Sequence, residues 1–96
     1  MLRFIVCLLL LATPVVAQDK AELCEISSGI VGAAVVERQD GQAADMAVKA
    51  VVADLPEDQA AYEGAVQPIV DWVYTLPEDQ LGDEVATSYE TACLEQ

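Results

Sequence analysis

Three cysteines and 17 carboxylates are the side chains of this 96-residue chain with chemistry to offer, and histidine is absent. Without histidine the chain lacks the commonest general base at neutral pH and the commonest transition-metal ligand. No C-x-x-C pair, G-x-S-x-G turn, Gly-rich phosphate loop or H-E-x-x-H motif occurs. The acids do not form the alternating D-x-D-x-D-G loop of a calcium site. With so many carboxylates, the nearness of any two says little about acid–base catalysis, which needs a defined pair flanking a cleft. These residues predict no catalytic group, no cofactor and no metal site. What remains is thiol oxidation, and the thiols are Cys7, Cys24 and Cys93.

Cys7 belongs to a different kind of segment from the other two. Arg3 gives a minimal positive start, Phe4 to Ala12 is an apolar run, and Val15-Val16-Ala17 approximates a small-residue cleavage site. The stretch from Phe4 to Ala17 covers 14 positions and contains Pro14, whereas a spanning helix needs about 20 residues. Residues 1–17 are therefore expected to be a cleaved signal peptide, and 18–96 a single domain. No twin arginine occurs, so the general export route is expected. Glu22 before Cys24 fits a lipoprotein cleavage box poorly, so no membrane attachment is expected after cleavage. The expected location is exported, periplasmic or secreted. Two cysteines remain there, and an even count in an oxidising compartment predicts one disulfide, Cys24 to Cys93. A domain of this size has a marginal core, for which a covalent staple is a usual remedy. Closing a loop of about 70 residues contributes ~4 kcal/mol in the chain-entropy description.

Charge narrows the partners. Without the signal, Lys20, Arg38 and Lys49 stand against 17 carboxylates, so the net charge moves from −13 to −14. Nucleic acid and anionic membrane both repel such a surface. A solvated acidic exterior fits it, as does a cation or a basic envelope protein or peptide as partner. Mutual repulsion also predicts that added salt stabilises the fold.

The elements that must position the thiols read as helices. Cys24, Val31, Val35 and Arg38 follow one helical stripe. Its helix is expected to begin near Asp19 or Lys20 and to stop at Asp40-Gly41, with Gly41 as the left-handed terminator. Its small residues, Ser27, Ser28, Gly29, Gly32, Ala33 and Ala34, suit either close helix packing or a ligand groove. Arg38 either satisfies terminal carbonyls and pairs with a carboxylate, or binds an anion. A second helix is expected over 42–54. Asp54-Leu-Pro-Glu-Asp-Gln59 and Thr75-Leu-Pro-Glu-Asp-Gln80 nearly repeat each other, and both read as capping-box helix starts. Pro68 either kinks the third helix or divides it. Trp72, the only tryptophan, reads either as a core or rim anchor or as a ring that stacks on a ligand. Tyr62, Tyr74 and Tyr89 are open in the same way. Leu81, Val85, Tyr89 and Cys93 recur every four residues on a last helix expected over 78–94.

The expected architecture is all-α, a small antiparallel bundle of four helices, or five if Pro68 divides the third, closed by the disulfide. An even helix count brings Cys24 and Cys93 to the same end. The expected core is Cys24, Val31, Val35, Val48, Val51, Val52, Val70, Val73, Leu81, Val85, Tyr89 and Cys93.

The chain resembles a loose group of short, uncharacterised exported bacterial helical proteins. Those share an early cysteine, an arginine three residues before a glycine, a mid-chain Val-Tyr pair and a C-terminal cysteine. The matching positions are Cys24, Arg38 and Gly41, Val73-Tyr74, and Cys93. The resemblance implies a helical exported domain and carries over no activity and no functional residue. The functional expectation is a non-catalytic binding or interaction module of the cell envelope. The alternative is an acid- or stress-related chaperone-like envelope protein, and an enzyme is not expected.

Overall fold

The computed structural model describes residues 2–96, with side chains from Asp19 onward. The expected signal segment, 1–17, lies outside the residues whose side chains are described. Four α-helices form: α1 (Leu2–Gln39), α2 (Ala44–Asp54), α3 (Glu63–Val73) and α4 (Asp83–Leu94). Short 3-10 helices, Glu57–Tyr62 and Glu78–Gln80, lead into α3 and α4, and no strand occurs among the described residues.

α1 packs against each of the other three helices, and α2 packs against α3. Three contacts fix an antiparallel register between α1 and α4. Cys24 is bonded to Cys93, Gly32 faces Ala86, and Gln39 Nε2 reaches the Leu81 carbonyl at 3.5 Å. At the opposite end from the disulfide, the Arg38 side chain meets the Val73 carbonyl and the Tyr74 hydroxyl meets the Gln42 carbonyl. The ends of α1 and α3 and the approach to α2 therefore share one end of the molecule. This is the expected antiparallel bundle closed by a disulfide.

The core comes from three helices. α1 contributes Ile30, Val31, Ala34 and Val35, α2 contributes Ala47 and Val51, and α3 contributes Val66, Ile69, Val70 and Val73. Each set keeps helical i, i+3 or i+4 spacing, which places it on one face. No residue of α4 is buried, although Val85, Ala86 and Tyr89 rest half-buried against the core. Of the expected core, Cys24, Val31, Val35, Val51, Val70 and Val73 are buried, while Val48, Val52, Leu81, Val85, Tyr89 and Cys93 are only half-buried. The last four sit on or beside α4, which is covered on its α1 side and open on the other.

The α1 stop forms as expected. Gly41 adopts φ 84°, its N–H bonds the Arg38 carbonyl, and the Gln42 N–H reaches back to Glu37. That double bond pattern is the Schellman termination, and it needs a left-handed residue that glycine adopts without a Cβ penalty. The expected helix start near Asp19 is not observed, because α1 is continuous from Leu2. α2 begins at Ala44 rather than Gln42, with no side-chain cap.

Pro68 neither divides nor ends its helix. It lies inside α3 and is exposed, so the Gly64 carbonyl that loses its partner faces the solvent side. The division falls earlier, where the 3-10 helix gives way to α3 at Glu63.

The two Leu-Pro-Glu-Asp-Gln segments do start helical turns, but not through capping boxes. In each, proline takes the cap position with no side-chain cap bond, and the glutamine N–H bonds back to the proline carbonyl at 2.9 and 3.0 Å. The residues expected to cap are otherwise engaged. Asp54 closes α2, and Thr75 Oγ1 donates to the Trp72 carbonyl at 2.6 Å. The second segment makes a single turn, after which Leu81 and Gly82 are extended and α4 begins at Asp83 rather than Glu78.

Candidate functional site

Trp72 and Tyr89 place their ring centroids 6.0 Å apart at an interplanar angle of 45°, bridging α3 and α4. The buried stripe of α3 takes Ile69, Val70 and Val73 inward, so the intervening Trp72 is directed outward and remains 42% exposed. The pair forms part of a groove of about 560 Å³, a volume in the range of ligand sites, ~300–1,000 Å³. Leu76, Val85 and Ala92 complete its apolar wall, and Asp79, Gln80, Glu84 and Ser88 its polar one.

The acids reach the groove through the local folding of the second repeat. The 3-10 turn carries Asp79, the extended Leu81-Gly82 step redirects the chain, and Glu84 follows in the first turn of α4. Carboxylates there also suit the positive end of the helix dipole. Among the described residues no lysine or arginine lines the groove. An aromatic and aliphatic wall beside two uncompensated carboxylates is suited to a cation with an apolar stem.

Arg38 lies elsewhere and is structural. Its Nη1 donates to the Val73 carbonyl at 2.8 Å and also to the Leu76 carbonyl. The guanidinium stands 5.7 Å from the centroid of the Tyr74 ring. The expected partners were the last carbonyls of its own helix and a carboxylate. Instead it caps α3 from a neighbouring helix and closes the turn beyond it. Tyr74 completes this knot by donating its hydroxyl to the Gln42 carbonyl at 2.7 Å. Burial, and then the Glu37 carboxylate, raise the Tyr74 phenol above its ordinary pKa, with Arg38 opposing.

Cys24 and Cys93 form the expected disulfide, with a Cα–Cα distance of 5.7 Å, inside the ~7 Å limit for bridging without backbone movement. Among the described residues no three acids or thiols converge as a metal site. Of the aromatic residues weighed in the sequence, Trp72 and Tyr89 share the groove, while Tyr74 sits in the Arg38 knot. The sequence alone does not single out Asp79 and Glu84 as groove residues. The first reads in sequence as half of a helix-start motif, and the second is one acid among 17. The signal that could have pointed to them is their position flanking the extended Leu81-Gly82 break, opposite the lone tryptophan.

Comparison of the chain with known protein families, curated proteins and solved structures found no match.

Proposed function

We propose that this protein is an exported, non-catalytic interaction module of the cell envelope that docks a basic protein or peptide. The observation carrying this reading is the groove between α3 and α4, lined by an exposed tryptophan and two carboxylates and, among the described residues, by no cation. A net charge of −13 extends the same sign over the rest of the chain and steers a cationic partner inward. The Cys24–Cys93 disulfide supports an oxidising location, and the first 17 residues have the pattern of an export signal. Among the described residues no helix is long and apolar enough to cross a membrane. Isothermal titration calorimetry of the disulfide-bonded protein, with a cationic peptide and an uncharged peptide of equal length, tests the reading. Saturable binding of the cationic peptide that weakens with salt supports it. Equal or absent binding of the two peptides overturns it.

A further inference from the structure

The groove has more specific chemistry than negative charge, because its charged and aromatic walls address different parts of one side chain. We infer that the groove is an arginine-reading site, which takes an arginine side chain of a basic peptide segment and prefers it to lysine. This rests on the proposed role as a docking module for a basic partner.

The geometry dictates how a cation is held. Rings tilted 45° with centroids 6.0 Å apart leave no slot between them, so the ligand lies on the open face of Trp72 rather than sandwiched against Tyr89. Tryptophan is the ring with the strongest attraction for a cation over its face. A planar guanidinium stacks there and stays within reach of carboxylates at the groove edge, while its three-methylene stem covers Val85 and Ala92. The compact ammonium of lysine is more strongly hydrated and lacks both the stacking plane and the two-pronged match to a carboxylate. Asp79 and Glu84 line the groove from the turn before α4 and from its first turn. They supply the anionic edge, and among the described residues no lysine or arginine of the groove competes for it. Charge complementarity selects a basic partner, and the exposed indole selects arginine within it.

The test holds charge constant. Two nine-residue peptides of the same sequence, one with three arginines and one with three lysines, are titrated into the disulfide-bonded protein at moderate salt. The arginine peptide is expected to bind at least fivefold tighter. Trp72→Ala should bring the two affinities together, and Asp79→Asn with Glu84→Gln should weaken both. The comparison on the unmodified protein needs no variant, so misfolding of a variant does not blunt the test. Equal affinities overturn the arginine preference while leaving the docking role in place. Failure of both peptides to bind overturns the docking role as well. A preference that survives Trp72→Ala in a folded variant overturns the assignment to this groove.

Discussion

Cys24 and Cys93 stand 5.7 Å apart, Cα to Cα, at a sequence separation of 69. The bond joins α4 to α1 at one end, while the Gln39–Leu81 contact holds the approach to α4 at the other. α4 packs along α1 but contributes no fully buried residue, so removing the staple is expected to loosen α4 before the helices that share the buried core. Cys24→Ala with Cys93→Ala is expected to lower stability by up to ~4 kcal/mol. The loss should fall unevenly. Amide exchange should quicken in α4 first, while the Val31, Val51 and Val70 region stays comparatively protected. Uniform acceleration across all four helices would contradict a peripheral α4.

Truncations should separate the same two layers. Val66 and Val70 are fully buried between α1, α2 and α3, whereas Val85 is half-buried. Val66→Ala and Val70→Ala are expected to cost about 1–4 kcal/mol each, with Val85→Ala near the lower end of that range or below it. Chemical denaturation of the three variants checks the order. A larger loss for Val85→Ala would move the core toward α4.

Two glycines should respond in opposite directions. Gly29 lies in the middle of α1, and nothing stands within 4 Å of the point a Cβ would occupy there, whereas Gly41 carries φ +84°. Gly29→Ala is expected to stabilise by about 0.8–1.0 kcal/mol through helix propensity. Gly41→Ala should destabilise by about 1–2 kcal/mol, the cost of placing a Cβ in the left-handed region. Thermal or chemical denaturation reads both shifts, and shifts of the same sign would contradict these assignments.

The Tyr74 phenol gives a pH signature. Its folded pKa is raised by burial and Glu37, so the native state holds this proton more tightly than the unfolded chain. The corresponding stability is complete below the unfolded phenol range, near ~10, and is lost as pH rises through the higher folded value. Tyr74→Phe should flatten the alkaline limb of the stability–pH curve. At neutral pH it should cost about 0.5–1.5 kcal/mol for the bond to Gln42. Identical alkaline losses in the two proteins would show that Tyr74 is not responsible.

Much of this architecture is legible in local sequence, and the exceptions have local causes. Gly41 ends α1 because no other nearby residue takes a left-handed turn without a Cβ penalty, and the spacing of Val31 and Val35 sets the inward face. Val66 and Ile69, which flank Pro68, are not among the expected core residues, yet both are buried. An exposed proline spares the buried stripe, and 66, 69, 70 and 73 run through it unbroken. The capping boxes failed because helical segments compete for the same residues, and Asp54 and Thr75 finish one helix rather than start the next. The groove was the least legible feature. It arises where two extended residues, Leu81 and Gly82, shift the start of α4 and bring separated acids opposite Trp72.

The sole tryptophan of the chain lies in the groove, so its emission reports on that site alone. Titration of the disulfide-bonded protein with a cationic peptide, followed by Trp72 fluorescence, tests groove docking most directly. The predicted result is a saturable emission change at one peptide per protein, weakened by salt and by Asp79→Asn with Glu84→Gln. Calorimetrically detected binding that leaves Trp72 emission unchanged would place the partner elsewhere and contradict docking in the α3–α4 groove.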